Sequence, residues 1–239
     1  MSPRSPQSTE KVLLNCTLTP TKNVTKEKKY WDSFYTSVEY LTNPSQFGVL
    51  TSSEAPKDGA IVEFGCGNGR DSIHLASKGF SVHACDLSRE ATDSNQSKVG
   101  EMNLAGNLAF SCVDASNAKQ VGGVIDQARS GSQSKNLTVY TRFFLHSIDE
   151  DQEGLFLDAL SSALKANDEL YFEFRCKEDE GLLKVHGTDH YRRYVETADL
   201  LQRLEKRGFD PYYHVTGRGM AKYKNEDPFV SRIIARKIE

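Results

Sequence analysis

The chain has 239 residues, with 30 lysines and arginines against 33 aspartates and glutamates, a net charge of -3. That balance lacks the basic surplus of a broad nucleic-acid footprint, and no apolar run approaches the ~18 residues that span a bilayer. A hydrophobic share of 38% and a charged share of 26% fit a globular protein, expected to be cytoplasmic with no membrane insertion. Cys16, Cys66, Cys85, Cys112 and Cys176 are widely spaced, with no CxxC. They read as reduced thiols, without a disulfide framework or a metal site.

Residues 1–25 hold Pro3, Pro6 and Pro20 among many Ser and Thr, which predicts a mobile arm. Tyr30, Trp31, Phe34, Tyr35 and Val38 then recur at three- and four-residue spacing, as on one face of a helix. Asn43-Pro44 breaks it, and a short helical stretch from Ser45-Gln46-Phe47 runs into a loop at 52–59. From Ala60 onward short apolar runs alternate with helical segments. Strands are expected at 60–64, 81–85, 108–113, 137–144 and 169–174. Helices are expected at 70–78, 88–104, 116–130, 149–164 and about 195–207. Two β-rich runs, 210–216 and 229–236, close the chain. Strands alternating with helices imply βαβ units, a parallel sheet and helices on both faces, an α/β fold.

The first strand leads into Glu63-Phe64-Gly65-Cys66-Gly67-Asn68-Gly69-Arg70-Asp71. Glycines there let the backbone turn sharply and approach a ligand. A dinucleotide fingerprint reads GxGxxG, whereas this turn reads GxGxG with an acid two residues before it. Glu63 would repel a pyrophosphate and attract an ammonium and a sulfonium, which favours S-adenosylmethionine over NAD. Asp86, followed by Leu87, ends the second strand, where an acid can take both ribose hydroxyls. Asp114, followed by Ala115, ends the third, where a carboxylate can accept from the adenine amino group. Either aspartate could instead serve only as a helix N-cap.

Glu63 to Ser72, with Asp86 and Asp114, resembles motifs I to III of the class I S-adenosylmethionine-dependent methyltransferases, over roughly residues 26–239. The resemblance implies a Rossmann-like seven-stranded mixed sheet, order 3-2-1-4-5-7-6 with the last strand antiparallel. It also implies S-adenosyl-L-methionine as cofactor, bound by Glu63, Gly65, Cys66, Gly67, Asn68, Gly69, Arg70, Asp71, Asp86, Leu87, Asp114 and Ala115. Gly67-Asn68-Gly69-Arg70-Asp71-Ser72 and Tyr30 to Tyr35 resemble the small-molecule branch with tellurite-resistance and thiopurine-type enzymes. Arg142 to Ser147, His190-Tyr191-Arg192-Arg193 and Gly219 to Tyr223 resemble methyltransferases of surface polysaccharide synthesis.

The fourth strand carries Arg142, unusual in an apolar run because an unpaired charge there costs several kcal/mol. It could bind an acidic acceptor or the cofactor carboxylate, or form an ion pair with Glu63, Glu173 or Asp71. His146 is the candidate general base, since its ordinary pKa lies near neutrality, and a hydrogen-bonded structural histidine is the alternative. Glu173 and Arg175 read either as acceptor contacts or as a pair satisfying each other. Arg142, Arg175, His190, Tyr191, Arg192 and Lys222, with Lys224, could assemble a phosphate or carboxylate pocket, or remain a solvated basic surface. Trp31 and Tyr35, on the first helix, could close over the cofactor as a lid and exclude water, or be plain core on an amphipathic stripe.

The domain reading is an arm over 1–25 and one methyltransferase domain over 26–239. That domain divides into a helical lid (26–58), a cofactor-binding half (59–175) and an acceptor-side half (176–239). The expected reaction is direct SN2 methyl transfer to an oxygen of a small, anionic acceptor, a sugar phosphate, acidic sugar or glycan-terminal phosphate. No nucleic-acid partner is expected, and the protein would be a monomer or homodimer. A protein or RNA methyltransferase and a non-catalytic cofactor-binding partner subunit are the rival readings.

Overall fold

A computed structural model describes residues 43–102, 104, 106–131, 136–182, 184 and 191–239. The predicted arm, Trp31, Tyr35 and His190 lie outside these. The chain alternates as α1 (Gln46–Glu54), β1 (Ala60–Phe64), α2 (Arg70–Ser77), β2 (Ser81–Asp86), α3 (Arg89–Glu101), β3 (Leu108–Cys112), α4 (Ala118–Gly131) and β4 (Leu137–Arg142). It continues as α5 (Glu150–Ala163), β5 (Glu169–Arg175), α6 (Thr197–Glu205), β6 (Phe209–Gly217) and β7 (Val230–Lys237).

The seven strands form one sheet in the order β3-β2-β1-β4-β5-β7-β6. The pairs from β3 to β5 are parallel, and β7 runs antiparallel to both its neighbours. The sheet matches the expected Rossmann-like order. β1 is flanked by β2 on one side and β4 on the other, so the strand order reverses there. The carboxyl ends at such a switch point form a crevice for a ligand.

Period-two alternation in β1 feeds two cores. Ala60, Val62 and Phe64 pack with Val121, Ile125, Phe156, Leu160, Leu200 and Leu204 from α4, α5 and α6. Ile61 faces the other layer, with Phe47, Leu75, Phe80, Val99 and Tyr140. Each such side chain, fully buried, contributes about 1.5–3 kcal/mol. Helix ends follow their sequence signals. Asp149 and Gln152 form a reciprocal capping box at α5, whose first turn carries Glu150, Asp151 and Glu153, acids that suit the positive end of the helix dipole.

One boundary differs in a way that shapes the site. The fourth strand stops at Arg142 instead of running to Phe144. Phe143 takes a left-handed conformation with φ of 56°, rare for an aromatic residue, and Leu145–Ser147 forms a 3-10 turn. The Phe143 N–H donates to the Glu173 carbonyl at 2.8 Å, so β5 holds the chain as it leaves the sheet.

Candidate active site

The glycine turn is built by its neighbours on β2 and α3. The Gly65 and Cys66 N–H groups both donate to the Cys85 carbonyl, at 2.8 and 3.0 Å. Gly65, Gly67 and Gly69 all have positive φ, which a side chain disfavours. A Cβ on Gly65 would lie 2.8 Å from the Phe144 ring, and one on Gly69 would lie 2.9 Å from Phe110. The Gly67 N–H donates to Asp86 Oδ2 at 2.9 Å, and Asn95 Nδ2 donates to the Gly67 carbonyl at 2.8 Å. Asn95 carries no signal in the sequence, because it lies on the middle of α3.

A cleft opens beside this turn at the carboxyl ends of β1 to β4, lined by Gly65, Asp86, Leu87, Asp114, Ala115 and Phe143 among others. Its empty space is about 770 Å³, part of which is open solvent. Val113, Phe144 and Ile148 complete its apolar walls. Phe144 and Ile148 are contributed by the turn after β4, where sequence spacing gives no guide.

Asp86 is not the N-cap of α3; Ser88 is, its hydroxyl accepting from the Ala91 N–H. Asp86 Oδ1 takes the Ser88 N–H at 2.9 Å. Asp114 Oδ1 takes both the N–H and the hydroxyl of Ser116, and among the described residues Oδ2 has no hydrogen-bond partner. Glu63 is 3% exposed and accepts from the Ser72 hydroxyl. Burial first, then the nearby Asp71 carboxylate, push its pKa up to about 8. A buried acid with no basic group bonded to it, beside a turn of bare backbone, fits a cationic ligand. The two aspartates on apolar walls fit a nucleoside.

On the same face Asp71 is held by three hydrogen bonds. It accepts the Ser45 N–H at 2.6 Å, the Ser45 hydroxyl at 2.7 Å and the Tyr140 hydroxyl at 2.8 Å. Asp71 thus ties the start of α1 to β4 rather than facing the cleft. Cys66 is buried and its thiol is pushed well above its ordinary range, an inert wall.

Arg142 resolves to one of its three candidate ion pairs. Its Nε donates to Glu173 Oε1 at 2.9 Å, and its guanidinium lies 4.2 Å from the centre of the Phe143 ring. Glu173 also receives Arg232 Nε at 2.7 Å, so a Glu173–Arg175 pair, one of the two alternatives, does not form. Arg175 is 6% exposed and bonded to Asp179 and Glu226, so it is no free cation for an acceptor. A buried guanidinium requires such counter-charges. Lys222 is exposed, Arg192 half-buried and Tyr191 exposed.

His146 is buried, and its Nδ1 accepts the Arg175 N–H at 3.0 Å. With Nδ1 accepting, the neutral ring carries its proton on Nε2. His146 therefore presents a donor, not the free lone pair of a general base.

An open α/β sheet with a glycine turn at its switch point and acids on three strand ends defines a nucleoside-binding domain of Rossmann type. The family model for a methyltransferase domain matches residues 42–214, and the chain belongs to that family. It is an S-adenosylmethionine-dependent methyltransferase. No curated protein matches it. Among solved structures, a SAM-dependent methyltransferase from Anabaena variabilis superposes with a TM-score of 0.69 at 15% identity, over 91% of this chain and 96% of that one. A 1,6-didemethyltoxoflavin-N1-methyltransferase from Burkholderia thailandensis, with bound 1,6-didemethyltoxoflavin and S-adenosylhomocysteine, gives 0.62 at 15% identity, over 91% and 88%. A TehB-like SAM-dependent methyltransferase from Corynebacterium glutamicum gives 0.56 at 16% identity, over 90% and 98%. At these identities the likeness is one of fold.

Proposed function

We propose that the protein methylates an oxygen of a small anionic acceptor such as a sugar phosphate, an acidic sugar or a glycan-terminal phosphate. The observation that carries this reading is Arg142. Glu173 holds its Nε, while its terminal nitrogens have no hydrogen-bond partner among the described residues, one position before cleft-lining Phe143. A guanidinium fork free at its outer edge suits a phosphate or carboxylate.

S-adenosylmethionine, when bound, supplies an electrophilic methyl on a positive sulfonium that direct SN2 displacement leaves as a neutral thioether. Glu63 and the turn from Gly65 to Gly69 would hold its charged end, and Asp86 and Asp114 its nucleoside, between Leu87, Ala115 and Ile148. The protein's contribution is alignment, worth ~7–11 kcal/mol when two reactants are held in line. An acceptor already ionised needs no base, which agrees with His146 as a positioning donor. In this reading residues 26–58, with Trp31 and Tyr35, cover the cofactor, and residues 176–239 present His190, Arg192 and Lys222 to the acceptor. The tellurite-resistance and polysaccharide branches are the substrate settings it favours, and a monomer or homodimer in the cytoplasm suffices for it.

The test is release of S-adenosylhomocysteine over sugar phosphates, uronic acids, neutral sugars, peptides and RNA. Turnover is expected with the anionic sugars and should fall at least tenfold in Arg142→Met. Turnover confined to neutral acceptors, peptides or RNA would overturn the proposal.

A further inference from the structure

Asn95 lies in the middle of α3 with no exposed surface. Its side chain reaches the glycine turn, 28 residues earlier, where Nδ2 donates to the Gly67 carbonyl at 2.8 Å. Its Oδ1 is buried and has no hydrogen-bond partner among the described residues. Asparagine is a weak helix former, and a buried acceptor left unpaired opposes folding. A leucine would fill a similar space with neither penalty. Helix propensity and packing therefore do not account for Asn95, and its one hydrogen bond leads to the turn. Conflicts of this kind between local preference and the fold collect at functional sites. The next residue behaves differently. Gln96 is exposed, and its Oε1 accepts the Phe110 N–H at 3.0 Å, which braces α3 against β3.

Asn95 meets the turn at two glycines. Gly67, at a φ of 54°, is held on both sides: its carbonyl by Asn95 and its N–H by Asp86 Oδ2, at 2.9 Å. A Cβ on Gly69 would lie 3.1 Å from Asn95 Cγ and Nδ2, so the amide also packs against the last glycine of the turn. Asp86 lines the cleft. A chain of two hydrogen bonds thus runs from the core of α3 through one left-handed residue to a cleft carboxylate. We infer that Asn95 is a positioning residue of the cofactor site: by holding the Gly67 carbonyl it fixes the residue whose N–H orients Asp86. A left-handed backbone has little preference of its own at glycine, so outside bonds must select it. The inference rests on the glycine turn as the cradle of the cofactor and is independent of the acceptor.

The experiment involves no turnover, so a failed acceptor screen leaves it intact. Wild-type protein, Asn95→Leu, Asn95→Ala and Gln96→Ala are titrated calorimetrically with S-adenosylhomocysteine, with affinity referred to the folded fraction. Hydrogen exchange of the Gly67 amide is followed by NMR in the ligand-free proteins. Both Asn95 variants should bind about tenfold more weakly, and their Gly67 amide should exchange faster as its hold on Asp86 loosens. Gln96→Ala, which also removes a bond between α3 and the rest of the protein, should change neither reading. If the leucine variant does not fold, the alanine variant, which adds no bulk, carries the comparison. Wild-type affinity in the Asn95 variants overturns the inference. So does an unchanged Gly67 amide, which would mark Asn95 as merely structural, and so does equal weakening in Gln96→Ala. Wild-type protein that binds no S-adenosylhomocysteine would overturn the cradle itself, and the inference with it.

Discussion

Replacing Glu63 by glutamine separates two effects of opposite sign. In the ligand-free protein the Glu63 pKa stands at about 8 against an ordinary 4.5, chiefly through burial and then through Asp71. The unfolded chain releases this proton near 4.5 and the folded chain keeps it to about 8. Across that window the folded state binds more protons, so stability falls as pH rises. At pH 7 the deficit is about 3 kcal/mol, at 1.36 kcal/mol per unit. Glu63→Gln has no such deficit. Denaturant titrations from about pH 5 to 8 should show wild-type stability declining and the variant nearly level. Cofactor binding has the reverse trend. A cation beside Glu63 favours the carboxylate, so binding expels a proton. Wild-type affinity should then climb with pH, by at most tenfold per unit, until about pH 8. Glu63→Gln should bind more weakly and without that slope. Calorimetry in two buffers of different ionisation enthalpy reads the released proton directly. Wild-type affinity that stays flat between about pH 6 and 8, with no proton released, would refute the reasoning.

Other expectations follow from single contacts. Gly65→Ala places a Cβ 2.8 Å from Phe144 at a φ of +75°. It should cost about 1–2 kcal/mol from the backbone alone and abolish S-adenosylhomocysteine binding by calorimetry. Glu173→Ala leaves Arg142 and Arg232 facing each other and should lower unfolding free energy by about 3–5 kcal/mol in denaturant. Asp114→Ala removes a cleft carboxylate whose Oδ2 has no hydrogen-bond partner among the described residues and should weaken S-adenosylhomocysteine about tenfold, about 1.4 kcal/mol. His146→Ala should reduce turnover yet leave the shape of the pH profile unchanged; loss of an ionisation near neutral pH would restore the base role.

What the sequence by itself determined was local. The alternation of Ala60, Val62 and Phe64 with Ile61 specifies a strand buried on both faces, and the GxGxG turn requires positive φ at three positions. Such features depend on spacing and on missing side chains, which the order of residues contains in full. The sheet order, the parallel strands and the acids at three strand ends followed from that pattern together with the family resemblance. Only tertiary structure decided which charges remain available. Arg142 and Glu173 are 31 residues apart in the chain, Tyr140 and Asp71 are 69 apart, and Arg232 reaches Glu173 across 59. A buried charge takes whichever counter-charge packing brings within about 3 Å, and that choice is made between elements rather than along them. It set Arg175 against Asp179 and Glu226, tied Asp71 to Ser45 and Tyr140, and engaged the Nδ1 lone pair of His146.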